Sequence, residues 1–542
     1  MLAAALAACG ASAGLFACYL RLSATFPVDS DGASNALEAW ALLHGNWLLR
    51  GWTLTDVSFY TTELPEYAVV ELARGLNPGV VHTAAAVTYT LLLLIAAALA
   101  RGRARGREGW TRALLAAGIM VAPQLGNGIH VLLSQPDHVG TQVPVLGIFL
   151  LLDRAPRRWY SVAATWALLT AAIVADKIAI VDAAVPLIFV GLLHATWTVS
   201  PGTGRRAGGA PRLGRVAAGV AAGRLRAQWF ELSVAAAAAA AAGTAVLLIA
   251  AVSRLGGFAM LPVPTAIAAP GRLPAHLSLA FHGTLTLFGA DVTAGPAIAW
   301  LHAPGIALAV AAFAVAVWRV PCPRDLVSDV LAVGIVVNLA GFVASVIPAA
   351  AFDTREMAAV LPFGAVLAGR VFGPRLVTSR RAVALLALAG ACQLAALGYE
   401  VTRPPAADPE LALARWLTAR HLTSGLGTFT EDNVTTLDSG GTVRLATVSW
   451  HARWMDPAGT VPRLYQSSAS WYDARATRAN FVVTGTADGP ADLIPRAEIL
   501  ALAGPPARTY RFQTFTIMVW KENLLTLLGA PPSRAPGDIG HP

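Results

Sequence analysis

The chain has 542 residues, 56% of them hydrophobic and 13% charged, with a formal net charge of +9. Soluble chains carry about 25% charged residues, and a membrane-spanning helix needs about 20 mostly apolar residues; this composition therefore excludes a soluble globular protein and describes a polytopic α-helical membrane protein. Its positive charge does not point to nucleic acid, because the arginines lie in short gaps between apolar runs, where they orient helices and meet lipid headgroups.

The first run, Met1–Leu20, lacks a basic segment before it, and its first arginine, Arg21, follows it. It reads as an uncleaved span rather than a signal peptide. Further apolar runs predict spans near 81–100, 113–132, 141–153, 159–175, 178–197, 230–252, 296–318, 327–348, 356–372 and 382–399, about eleven transmembrane helices in all. The short runs at 141–153 and 356–372 suit tilted or re-entrant segments. Arginine-rich gaps fall at 101–112, 153–158, 200–228, 319–325 and 373–381. Such loops stay in the cytoplasm, which places the N-terminus inside a multi-pass cell-membrane protein. Of the four cysteines, Cys9, Cys18 and Cys392 lie in apolar runs and Cys322 in an inner loop, so no structural disulfide is expected.

The loops on the opposite face are poor in arginine and carry acids. A long first outer loop covers 21–80; within it, Ser34–Leu49 has apolar residues at near-helical spacing and predicts an amphipathic helix lying in the membrane interface. A second outer loop, 253–295, is rich in Pro and Gly, and 204–226 reads as a flexible basic inner loop. Composition changes at Thr402–Pro405. Residues 1–400 form the transmembrane domain, 401–529 a small extracytoplasmic α/β domain, and 530–542 a disordered tail. In the α/β domain, Asp408–His421 reads as a helix, and Val443–Val448, Asn480–Thr484 and Arg511–Trp520 read as strands; Ser439-Gly440-Gly441 fits a hairpin or loop.

Four outer clusters carry candidate chemistry. Asp29 and Asp31 stand in VDSDG. Asp31 or Ser34 suits the cap of the following helix, which leaves Asp29 free as a general base; the two acids could also hold a divalent cation. Asp137 and His138 in SQPDHVGT read either as turn and capping residues or as polar ligands of a sugar, with His130 two turns earlier. Asp176-Lys177 is either a local ion pair or a site where Lys177 meets a lipid phosphate. In Asp353-Thr354-Arg355-Glu356, Arg355 either pairs locally with Asp353 or grips a phosphate. Tyr60, Glu63, Glu66 and His82 enrich the first outer loop in groups that bind sugars or merely pack. No Walker loop, dinucleotide-binding glycine signature or zinc spacing occurs.

An acid-opened first outer loop (VDSDG), a second acid in a later outer loop (PDHVGT), many spans and an outer C-terminal domain together resemble the GT-C superfamily of bacterial membrane glycosyltransferases, which use polyprenyl-phosphate-linked sugars. The stretches GLGTFTEDNVTTLDSGGTVRLATV and SASWYDARATRANFVV look like the tail domain of such proteins. The resemblance implies a GT-C-like fold and transfer of a hexosyl or pentosyl group from a polyprenyl-phosphate donor, within the membrane lipid, to a glycan, lipid or protein acceptor in the cell envelope. It implies a catalytic or metal-linked Asp29 or Asp31, a second outer-loop acid at Asp137, and basic residues near the lipid phosphate at Lys177 and Arg355; His138, Tyr60 and Glu63 stand as candidate substrate contacts on the reading of the residues alone. Mg or Mn, if used, would sit among Asp29, Asp31 and Asp137. Asp137 is followed by His rather than by a second acid, a departure from the adjacent acids of many members.

Two other readings compete. A transporter or lipid flippase predicts mid-membrane charges and internal repeats, whereas the charges here cluster at span ends. A non-catalytic scaffold of cell-envelope assembly predicts that substituting the first-loop acids is silent.

Overall fold

The computed structural model describes residues 2–197, 213–263, 265–293, 296–319, 325–449, 461–462, 464–485 and 494–528. The 204–212 part of the basic loop, the 320–324 part of the next arginine-rich gap and the 530–542 tail lie outside the described residues.

Helices fill the first 400 residues. Among the described residues, five are long and apolar enough to cross a membrane: Gly79–Arg101, Gln228–Arg254, Ala299–Trp318, Leu326–Ala344 and Arg380–Val401. A sixth is a broken one, Ala351–Met357 followed by Val360–Leu376 with a bend of 47°, where a tilted or re-entrant segment was expected. Trp159–Ala175 and the segment from Ile180 to Thr196 are shorter apolar helices. The run expected as one span at 113–132 is two helices, Gly106–Met120 and Asn127–Leu133. At the break, Tyr19 and Tyr89 donate hydroxyls to the carbonyls of Val121 (3.0 Å) and Met120 (2.8 Å), satisfying backbone that the helix no longer pairs. Residues 213–226, expected as flexible loop, belong to the helix Leu213–Arg254.

The arginine-rich gaps meet at one end of the bundle. Arg370 pairs with Asp153 and Asp325 at 2.9 Å each and donates to the Leu99 carbonyl at 2.8 Å. Arg103 reaches the Asp153 carbonyl and Arg154 the Ala98 carbonyl. This network ties together the ends of four helical segments.

The long first loop, 21–80, differs most from expectation. Its helix runs Ser30–Leu43 and is packed on both sides instead of lying in the interface. Ala33, Ala36 and Ala39 face Tyr67, Val81, Val434 and Leu437, while Leu37 and Leu42 join a second core. The small alanines let the neighbouring helices approach closely, a feature that an amphipathic reading of the same residues does not register. A second helix in this loop, Glu63–Arg74, packs against it. The Pro- and Gly-rich second outer loop also contains a helix, Leu273–Leu287.

The C-terminal region is an α/β unit. Its sheet has the order 461–462, 444–449, 424–427, 481–485, 515–519, 508–512, with the strand at 424–427 parallel to both its neighbours. The segment expected as one strand at Arg511–Trp520 is a hairpin of Arg508–Phe512 and Phe515–Val519. Ser439-Gly440-Gly441, expected as a hairpin or loop, is a loop that follows the helix Phe429–Asp438.

This unit is not a separate bead. Trp52–Leu54 of the first loop pairs with Ala259–Met260 on one side and Ser467–Ser468 on the other. One hydrophobic core runs through Leu49, Phe59, Phe258, Trp471 and Met518. The first loop is therefore clamped between the membrane helices and the C-terminal sheet.

Glu71, on the helix Glu63–Arg74, is 2% exposed and neither carboxyl oxygen has a partner. Burial pushes its carboxyl from 4.5 up to about 9. Between these values the folded state holds a proton that the unfolded state has lost, so stability falls as pH rises through that window. Glu71→Gln is expected to match wild type in thermal unfolding near pH 4 and to exceed it near pH 8; an equal change at both pH values would contradict this account.

Candidate functional site

Opposite the Arg370 network, the acid-bearing loops converge. The site starts at the N-terminus of the helix Ser30–Leu43. Asp29 is extended (φ −102, ψ 172), and its Oδ1 accepts the Gly32 N–H at 2.9 Å. Asp29, and not Asp31 or Ser34, is thus the cap. The helix starts at Ser30, so Asp31 falls in its first turn, where its carboxylate is not needed for capping. Ser34 instead donates to Glu38 Oε1 at 3.1 Å. Asp31 forms an ion pair with Arg355 Nη1 at 3.0 Å.

Arg355 sits in the 3₁₀ turn Ala351–Met357 and stacks 4.1 Å over the Phe352 ring. Phe352 stacks on His130 at 4.2 Å, and His130 on Phe26 at 4.1 Å. Asp353, expected as a local partner of Arg355, accepts the Ala349 and Ala350 N–H groups at 2.7 Å each. The guanidinium is thereby left to Asp31.

His138 joins the other loops. Its Nδ1 lies 2.7 Å from Asp176 Oδ2 and its Nε2 lies 3.2 Å from Glu356 Oε1. Burial alone would push the imidazolium toward neutrality, but Glu356 and Asp176 outweigh it and hold the ring protonated up to about 10. The residue is left-handed (φ +58), a conformation that costs energy in a non-glycine residue and is retained where the surroundings fix it. Two residues on, Gly140 packs so tightly that an added Cβ would stand 2.5 Å from Glu63 Oε1.

Asp137 is 4% exposed and accepts Asn35 Nδ2 at 2.7 Å. Burial first, and the Asp31 charge second, raise its carboxyl, against the pull of Arg355 and His138. Asp29 is likewise held well above the ordinary carboxylate range by burial and then by Asp31. Glu63 is buried, accepts hydroxyls from Thr62 and Thr141, and is raised by burial. Asp176 accepts Thr141 Oγ1 at 3.1 Å and the Ile178 N–H at 2.9 Å. Lys177 does not pair with it, but donates to the Asp56 carbonyl at 3.0 Å.

Of the expected site residues, Asp29, Asp31, Asp137, His138, Glu63 and Arg355 are brought into one cluster, with Lys177 at its border. Tyr60 is not: its hydroxyl donates to the Trp47 carbonyl and its ring packs 5.3 Å from Phe258. His82 bonds Ser23 away from the acids. Sequence reasoning did not single out Asn35, Glu38, Thr141 or Gln142, because isolated polar residues on helices carry no motif. It also passed over Asp182, an acid inside the apolar run IAIVDAAVPLIF, fully buried between Gln142 and Asn338 at 2.8 Å each.

Among the described residues, no three His, Cys, Asp or Glu side chains are grouped to hold a metal ion. Asp31 faces Arg355, Asp29 caps a helix and Asp137 accepts Asn35, each through one carboxylate oxygen.

A polytopic apolar bundle with an acid-and-arginine cluster at one end is clamped by a C-terminal α/β unit, an architecture shared with solved membrane proteins. No family profile matches the sequence, and no curated protein matches it. The fold is similar to crystal structures of ArnT from Cupriavidus metallidurans. For the structure bound to undecaprenyl phosphate the TM-score is 0.53 at 12% identity, over 96% of this chain and 98% of that one. For the apo state it is 0.53 at 13% identity, over 98% and 100%. The oligosaccharyltransferase of Archaeoglobus fulgidus, tethered with an acceptor peptide containing the NVT sequon, aligns with a TM-score of 0.44 at 10% identity, over 88% and 69%.

Proposed function

We propose that this protein is an integral membrane glycosyltransferase that moves a sugar from a polyprenyl-phosphate donor to an acceptor hydroxyl at the outer face of the membrane, with inversion at the anomeric carbon. The observation that carries this reading is the Asp31–Arg355 pair. A carboxylate and a guanidinium, both only part-buried, stand 3.0 Å apart at one end of an apolar bundle. The similarity to a fold seen with undecaprenyl phosphate bound supports the donor class.

Asp31 takes the proton of the acceptor hydroxyl as that oxygen attacks the anomeric carbon. The bond from that carbon to the phosphate oxygen breaks, and the lipid phosphate leaves as a monoester. Arg355 offers planar N–H donors to the phosphate oxygens, stabilising charge where it develops. The surrounding surplus of carboxylates favours the positive character of the anomeric carbon in the transition state. A lipid-linked donor enters sideways from the bilayer and requires no nucleotide. In this reading the Arg370 end of the bundle and the N-terminus are cytoplasmic, and the C-terminal unit is extracytoplasmic.

Undecaprenyl phosphate binding tests the donor assignment without the sugar being known. Arg355→Ala is expected to weaken it by at least about tenfold, the loss of one charge-assisted contact. Equal affinity in wild type and variant would sink the assignment of Arg355 to the phosphate.

A further inference from the structure

We propose that Glu356 is a second functional carboxylate of the site, beside Asp31, and binds hydroxyls of the transferred sugar. This inference rests on the glycosyltransferase reading above. The acids of the cluster divide by what their oxygens already do. Asp137, Asp176, Glu63 and Glu38 are each at most 4% exposed and hydrogen-bonded within the protein. Asp29 caps a helix. Of the three acids ion-paired to Arg355 or His138, Asp31 and Glu356 keep part-exposed side chains, 17% and 23%, against 1% for Asp176.

Glu356 is fixed and yet incompletely used. His138 Nε2 contacts its Oε1 at 3.2 Å, and its backbone carbonyl accepts Asn338 Nδ2 at 2.9 Å. No hydrogen bond to Oε2 is formed among the described residues. The residue directly follows Arg355 in the same 3₁₀ turn. A phosphate on Arg355 therefore carries its sugar to the neighbourhood of Glu356, whose charge acts on the same guanidinium. A carboxylate oxygen accepts sugar O–H groups in strong, directional bonds. Held against the His138 imidazolium, it needs no reorganisation to do so. A second group points the same way. Gln135 is 4% exposed, neither of its amide atoms has a partner, and a Cβ added to Gly32, next to Asp31, would lie 2.8 Å from its Oε1. The site thus offers unused hydrogen-bonding groups beside the Asp31–Arg355 pair, of the kind that recognise an uncharged, polyhydroxylated glycosyl group. An acidic sugar would be repelled by the same carboxylates.

The test compares two probes on the full-length protein in detergent: farnesyl phosphate, and farnesyl-phosphoryl pentoses and hexoses. Wild type is expected to bind at least one sugar-bearing probe about tenfold or more tighter than farnesyl phosphate. In E356Q that preference is expected to fall close to one, with farnesyl phosphate affinity kept, and Glu356→Asp should recover part of it. Retained farnesyl phosphate binding reports that each variant is folded. An undiminished sugar preference in both variants overturns the assignment of Glu356 while leaving the donor reading intact. Failure of wild type to bind any of the probes overturns the donor reading and the Glu356 assignment together.

Discussion

Asp31→Asn is expected to lower sugar transfer by about 100- to 10,000-fold, the usual contribution of a positioned general base. Asparagine keeps the size of the side chain and its contact with Arg355 Nη1, at 3.0 Å in the native protein, but it cannot take a proton from the acceptor. Asp29→Asn provides the internal comparison. Asparagine caps helices as well as aspartate does, so the Gly32 N–H retains its partner and the helix Ser30–Leu43 keeps its start. Asp29 is also a poor proton acceptor at neutral pH, since burial and the Asp31 charge hold its carboxyl well above the ordinary range. Asp29→Asn should therefore retain most activity. The reverse pattern, an inactive Asp29→Asn beside an active Asp31→Asn, would move the base to Asp29.

His138→Ala is expected to have the largest effect on stability, about 3–5 kcal/mol, as found when one partner of a buried ion pair is removed. The imidazolium contacts Asp176 and Glu356 at 2.7 and 3.2 Å, and without it those carboxylates lose their counter-charge among several other acids. The pH dependence has a definite sign. The ring's folded value is raised from 6.5 to about 10, so its stabilisation is fully present below 6.5 and is lost as pH rises through about 10. The gap in unfolding temperature between wild type and His138→Ala should thus narrow from pH 6 to pH 10. A gap constant over that range would show that lost packing, not lost charge, sets the cost. His138→Asn separates out the backbone, because asparagine tolerates the left-handed conformation seen here (φ +58).

The chain-wide separation of arginines from acids was legible without coordinates, because charge sorting across a membrane leaves a periodic trace in sequence. That trace grouped Asp31, Asp137, His138 and Arg355 on one face, but it did not single out Arg370, which lay inside the expected span 356–372. The assignment within VDSDG was not legible. Capping depends on where the helix begins, and a shift of one or two residues exchanges the roles of Asp29 and Asp31. The buried state of Ser30–Leu43 was hidden for a different reason. Alanines at 33, 36 and 39 look neutral in a hydropathy pattern, and only the partners Val434 and Leu437, some 400 positions away, reveal a packed face. Tyr60 shows the limit of composition: it lies in a loop rich in site residues, yet its hydroxyl turns to Trp47. Glu356 stood in a recognised motif, but only its exposure and its His138 contact distinguish it from the acids sealed around it.

The central claim is that this cluster catalyses glycosyl transfer from a polyprenyl phosphate. It is tested most directly by incubating the purified full-length protein with a panel of polyprenyl-phosphate sugars and membrane-extract acceptors, with and without a divalent cation, and following transfer and donor hydrolysis. The account predicts transfer from at least one donor, lost in Asp31→Asn and kept in Asp29→Asn. Absence of transfer, hydrolysis and donor binding across the panel would contradict it.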